Sequence, residues 1–179
     1  MTHSLIRNLL ISVTSVTLAH GAGAQEVVQS TRDSIRSARA RGAVTVEFDR
    51  FTNRTTVSLR GTQVGSEFEL AAFYSMDGKQ PSEPTGVQFM LMKSSKTWEY
   101  LHCHNVGLLV DGQPISVQAS HGGRVGDGYV LEFVRFDLPL ASFLRLATAS
   151  KVEARVCRTE LAIGSLQMEA LRDLASRMK

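Results

Sequence analysis

The chain has 179 residues and a formal net charge of +3. A charge this small, scattered along the sequence, gives no basis for a nucleic-acid partner. The length suits one domain with a real hydrophobic core and leaves little room for two.

The first segment reads as an export signal. Arg7 supplies a positive start, Leu9 to Ala19 forms an apolar stretch, and Ala22-Gly23-Ala24 offers a small-residue cleavage site. Ser12, Thr14, Ser15 and Thr17 weaken that stretch, and it is well short of the roughly 20 apolar residues a membrane-spanning helix needs. Residues 1–24 are therefore expected to be a signal peptide cleaved after Ala24. The mature product is expected in the periplasm or outside the cell, soluble and with no stable membrane span after cleavage. No cysteine lies near the cleavage site to take a lipid.

Residues 25–42 form a polar leader or linker in which Arg32, Arg36, Arg39 and Arg41 read as a solvated face. From Ala43 the period becomes two: Val44, Val46 and Phe48 alternate with Thr45, Glu47 and Asp49 up to a turn at Thr52-Asn53. Val57 and Leu59 mark the returning strand, and Phe68, Leu70, Ala72 and Tyr74 mark the next, which ends near Met76-Asp77-Gly78-Lys79. Val87, Phe89 and Leu91 define a further strand, with Met90 and Met92 on its other face. Thr97 to His104 follows as an expected strand. Asp111-Gly112, flanked by Leu108 to Val110 and Ile115 to Gln118, suits a turn that needs positive φ and predicts a hairpin. Ser120 to Gly128 reads as a glycine-rich loop, and Tyr129 to Phe136 as another strand.

After Pro139, the spacing of Leu140, Phe143, Leu144 and Ala147 turns helical. Val152 to Val156 alternates again, and Leu166, Ala170, Leu171, Leu174 and Met178 line one side of a closing helix. The expected fold is mainly β: an antiparallel β-sandwich-like domain over residues 43–179 with one short internal helix and a C-terminal helix.

Leu109-Val110-Asp111-Gly112 with Ile115, then Phe143-Leu144-Arg145-Leu146-Ala147 with Ala149, then Val152-Glu153-Ala154-Arg155 and a Leu-rich last helix form a recognisable succession. It resembles exported bacterial proteins of unknown function that carry a β-rich, sandwich-like domain and a C-terminal helix. The shared positions are mostly hairpin and packing positions, so the resemblance implies a fold and carries over no functional residue.

Chemistry is sparse. His102 and His104 alternate around Cys103, and two imidazoles on one strand face could share a metal; His121, Asp127 or Asp111 would have to complete the set. Cys103 and Cys157 could pair in an oxidising compartment, provided that the segments carrying them are adjacent. Trp98 and Tyr100, on the same expected face as His102, are candidates for a binding platform for a peptide, glycan or hydrophobic ligand, with core packing as the alternative. Ser120-His121-Gly122-Gly123 is similar to the oxyanion loops of esterases, but no Gly-x-Ser-x-Gly elbow accompanies it. The Gly122 to Gly128 stretch lacks the Gly-Lys-Ser/Thr ending of a phosphate loop and the spacing of a calcium repeat. Asn53-Arg54-Thr55 matches a glycosylation sequon.

No complete set of base, nucleophile and stabiliser appears, and no cofactor is implied. The expectation is a non-enzymatic binding or envelope-structural module whose partner is a protein, a glycan or an envelope component. The alternative is a metal-binding protein or metal-dependent hydrolase centred on His102 and His104. Oligomeric state is left open.

Overall fold

The computed structural model describes residues 43–79 and 83–178, which fall within one compact unit. The expected signal peptide and polar leader lie outside the described residues.

Alternation of apolar and polar residues produces most of the strands. β1 (Val44–Asp49), β2 (Arg54–Val64), β3 (Phe68–Asp77) and β4 (Gly86–Ser95) run antiparallel in sequence. β5 (Val106–Val110) and β6 (Gln113–Ser116) form the second hairpin, and β7 (Ala119–Gly126) and β8 (Tyr129–Pro139) the third. The short helix α1 (Leu140–Thr148) precedes β9 (Val152–Val156) and β10 (Thr159–Ile163), and α2 (Ser165–Ser176) closes the described chain. Two antiparallel sheets result, in the orders β1-β2-β3-β4-β8-β7 and β10-β9-β5-β6. This is the sandwich-like arrangement with two helices that the periodicity implied.

Parity decides what reaches the core. In β4, Val87, Phe89 and Leu91 are buried, whereas Met90 and Met92 stay half-buried on the outer side. In β2 the register against β3 shifts between Leu59 and Thr62. The extra residue of this bulge resets the alternation, so that Val57 and Leu59 before it and Thr62 and Val64 after it all face inward. Gln167 of α2 then donates from Nε2 to the carbonyl oxygen of Gln63 at 2.6 Å, which satisfies a buried amide beside the bulge.

The two helices fill the space that the sheets leave. Pro139 sets the entry to α1 and the Leu140 N–H reaches back to the Thr85 carbonyl at 3.1 Å. Phe143 is fully buried with its ring centre 6.0 Å from that of Phe89, which stacks on Phe136 at 5.2 Å. Arg172 of α2 donates to the carbonyls of Ala147 and Ala149, supplying partners that the end of α1 lacks.

The Asp111-Gly112 turn forms as expected, with φ of 48° and 76° at the two residues. The Asp111 carboxylate accepts the N–H groups of Ser150 and Lys151, which ties this turn to the start of β9 and uses the acid structurally.

Two expectations are corrected, and one strand is added. Thr97 to His104 forms no strand; it is part of the turn-rich connection between β4 and β5. The Glu99 and Tyr100 N–H groups go to a side chain from β8, and the Cys103 N–H turns back to the Tyr100 carbonyl, instead of to a neighbouring strand. Ser120 to Gly128 is no loop: residues up to Gly126 belong to β7, paired with β8 around a turn at Asp127-Gly128. Glycines weaken a strand by propensity, yet here they admit side chains from neighbouring elements. Finally, β10 follows Cys157 and Arg158 as an edge strand on β9 that the Val152 to Val156 pattern alone did not indicate.

Candidate functional site

The connection between β4 and β5 carries four of the residues singled out in the sequence: Trp98, Tyr100, His102 and His104. Its shape is set from outside. Glu132, on β8, sits at an inward position between Val130 and Val134, and its carboxylate is fully buried. Oε2 accepts the Glu99 N–H at 2.8 Å and Oε1 accepts the Tyr100 N–H at 2.9 Å. His121 Nε2, on β7, donates to Oε1 at 3.0 Å from a side chain only 8% exposed. A buried carboxylate with three donors is electrostatically satisfied and holds the connection in place.

Trp98 and Tyr100 separate instead of forming a row. Tyr100 turns into the core against Phe68, with ring centres 5.4 Å apart, while Trp98 remains 37% exposed and meets the edge of His121 at 5.8 Å. Trp98 lies over Gly123, where an added Cβ would stand 2.5 Å from its Cζ3 atom. The glycine of β7 is therefore a seat for the indole.

Lys93 lies opposite Glu132 on β4 and bonds Glu67 and Glu99, each at 2.7 Å. Burial alone would lower its pKa. The hydrogen bonds that it donates to the two carboxylates outweigh that effect and hold the ammonium above the ordinary lysine range.

Cys103 and Cys157 are joined in a disulfide, with Cα atoms 6.0 Å apart. The condition read from the sequence is met in modified form. Neither cysteine is in a strand, but β5 and β9 are neighbours, with Val106 opposite Val156, and each cysteine lies just beyond that pair. The Cys157 N–H also reaches the Asn105 carbonyl at 2.9 Å. The bridge fixes the end of the connection that carries His104.

The three histidines part company. His104 and His121 have ring centres 6.1 Å apart and planes inclined by 26°, and Nδ1 of His104 is buried with no hydrogen-bond partner. His102 is exposed on the turn. Among the described residues no group of three or more His, Cys, Asp or Glu side chains is placed to hold a metal ion, so His102 completes no set with the other two.

A second feature lies on the solvent side of the smaller sheet. Cross-strand neighbours Gly107, Arg155 and Glu160 form one row, and Pro114, Leu109, Glu153 and Ala162 the next. Gly107 and Ala162 project little or nothing, which leaves a depression of about 490 Å³. Leu109 is 41% exposed beside it, and neither Arg155 nor Glu160 forms an ion pair among the described residues.

No protein-family model, curated protein or solved structure matches this chain. Among the described residues, no helix is long and apolar enough to cross a membrane.

Sequence reasoning missed Glu132. The available signal was an acid at an inward position of Val130, Glu132, Val134 and Phe136, where the alternation calls for an apolar residue. It also missed the depression, which depends on the lateral order β10-β9-β5-β6.

Proposed function

We propose that this chain is an exported, non-enzymatic binding domain, and that it takes short extended peptides with a free carboxylate on the solvent side of the smaller sheet. The observation that carries this reading is the depression at Gly107 and Ala162. Its volume of about 490 Å³ lies within the roughly 300–1,000 Å³ common for ligand sites.

The lining suits such a ligand. Arg155 supplies a guanidinium for a carboxylate, Glu160 supplies acceptors for peptide N–H or ammonium groups beside a Glu153 whose Oε1 pairs with Lys151, and Leu109, Pro114 and Ala162 supply apolar contact. The buried Glu132 supports a binding role in another way: its oxygens are committed to holding the backbone that frames the β5 end of the sheet. The disulfide is in keeping with an oxidising compartment.

Gly107 makes the reading testable. A Cβ there meets no atom within 4 Å and the residue is absent from the positive-φ positions, so a larger side chain fills the depression without straining the strand. A random hexapeptide library with free carboxyl termini, selected on the wild-type chain, is expected to yield binders that lose roughly tenfold or more in affinity against Gly107→Phe and Arg155→Ala. Binders that hold Gly107→Phe as well as wild type would place the binding surface elsewhere.

A further inference from the structure

The outer face of the larger sheet carries an apolar strip that the core does not use. The core lies on the inner side, where Phe89 meets Phe143 of α1 and Thr62 meets Gln167 of α2. Register arranges the outer residues in rows. Glu69, Met92, Phe133 and Gly122 form one row across β3, β4, β8 and β7, and Ala71, Met90, Arg135 and Ser120 form the next. Met90, Met92 and Phe133 are neighbours there and only half-buried, at positions where a sheet face that meets water usually carries polar side chains.

The two ends of the strip differ in charge. Glu69 is exposed on β3. At the other end the Arg135 guanidinium carbon lies 5.2 Å from the Phe133 ring centre, and a Cβ added at Gly122 would stand 3.3 Å from one of its nitrogens. Gly122 therefore makes room for a guanidinium that leans over β7. Neither Glu69 nor Arg135 forms an ion pair among the described residues.

An acid, an apolar strip and a base in that order are complementary to a second copy of themselves. A twofold axis along the strands, midway between β4 and β8, sets β3 of one copy over β7 of the other. Glu69 then faces Arg135 of the second copy, and Met92 faces Phe133 of the second copy. Stacked sheets lie about 10 Å apart with strands within about 30° of each other, a gap that side chains of this length fill. We propose that this face is the interface of a symmetric homodimer, packed sheet on sheet. Four strands about 4.8 Å apart make a face about 19 Å wide. The shortest of them, β7, has 8 residues, which at about 3.4 Å each gives a length of about 27 Å. The flat footprint is then about 500 Å² on each copy and about 1,000 Å² in total, the size at which a specific interface becomes stable.

Sedimentation velocity on the disulfide-intact protein, from about 1 to about 200 μM, tests this over the range of moderate affinities. The mass is expected to rise from monomer to dimer within that range. Met92→Lys, which puts an ammonium at the centre of the strip, is expected to weaken dimerisation about 30-fold or more. Glu69→Arg and Arg135→Glu are each expected to weaken it about tenfold. The double variant, which restores the pair with its signs exchanged, is expected to return to within about threefold of wild type. Gly107→Phe, on the smaller sheet, is expected to dimerise like wild type.

Circular dichroism on each variant separates loss of the dimer from loss of fold, and the charge exchange, at positions outside the core, decides the matter should Met92→Lys fail to fold. The proposal is overturned if the wild type is still a monomer at about 200 μM, if folded Met92→Lys dimerises like wild type, or if the double variant dimerises no better than the single ones. These results are independent of the peptide selections, which concern the solvent side of the smaller sheet.

Discussion

His121 Nε2 donates to Glu132 Oε1 across 3.0 Å, and this contact joins two side chains that are 8% and 1% exposed. The same oxygen takes the Tyr100 N–H, so one buried carboxylate links β7, β8 and the connection after β4. Removing it leaves three donors without a partner. Glu132→Ala is expected to cost about 3–5 kcal/mol, the range for breaking a buried pair. Glu132→Gln should cost less, about 1–3 kcal/mol, because the amide keeps one acceptor oxygen. Urea unfolding monitored by circular dichroism checks both; a midpoint unchanged in Glu132→Ala would mean that the connection is held by other contacts.

The hydroxyl of Tyr74 is buried without a hydrogen-bond partner, and burial pushes its pKa from 10.0 up to about 12, partly offset by the charge of Arg177. The folded state therefore holds the phenol proton more tightly than the unfolded chain does. The corresponding stability is fully present below pH 10 and is lost as pH rises towards about 12. At about 1.4 kcal/mol for each pH unit, the full loss is about 3 kcal/mol. Tyr74→Phe is expected to raise stability at pH 8 by about 1 kcal/mol and to flatten this alkaline decline. Equal alkaline slopes in the two proteins would assign the decline to another group.

Reducing the Cys103–Cys157 bridge releases a loop with a sequence separation of 54. The chain-entropy relation sets the expected loss at about 4 kcal/mol. Thermal melts with and without reductant measure it, and the pair of variants Cys103→Ser and Cys157→Ser should match the reduced wild type. Trp98 emission is expected to shift to the red in all three, because the bridge anchors the segment that carries the indole. An unshifted spectrum would show that Glu132 alone suffices to hold it.

Two glycines make opposite predictions. At Gly123 a Cβ would stand 2.5 Å from Trp98 Cζ3 and 2.7 Å from the Leu131 carbonyl oxygen, whereas at Gly107 it would meet nothing within 4 Å. Gly123→Ala is expected to destabilise the fold by about 1–3 kcal/mol and to displace Trp98. Gly107→Ala should be neutral or slightly stabilising, because alanine narrows the unfolded ensemble. Denaturation midpoints and tryptophan emission together distinguish the two.

Features that depend on neighbours along the chain were legible in the residues alone. Alternation from Val44 to Phe48 and from Val87 to Leu91 specified strands, because side chains two apart share a face. The Asp111-Gly112 turn and the two helices followed from local backbone preference and from the 3.6 period. Long-range packing set the conformation of Thr97 to His104, where aromatic and alternating residues resemble a strand but a buried carboxylate 32 and 33 residues further on claims the N–H groups of Tyr100 and Glu99. It alone made a strand of the glycine-rich Ala119–Gly126, since the value of Gly123 lies in the indole that packs on it. The pairing of Cys103 with Cys157, the meeting of His104 with His121 and the depression at Gly107 have the same origin. Each requires β5, β7, β8 and β9 to be placed side by side or face to face, and that placement comes from burying one core between two sheets, a cooperative property that no local pattern encodes.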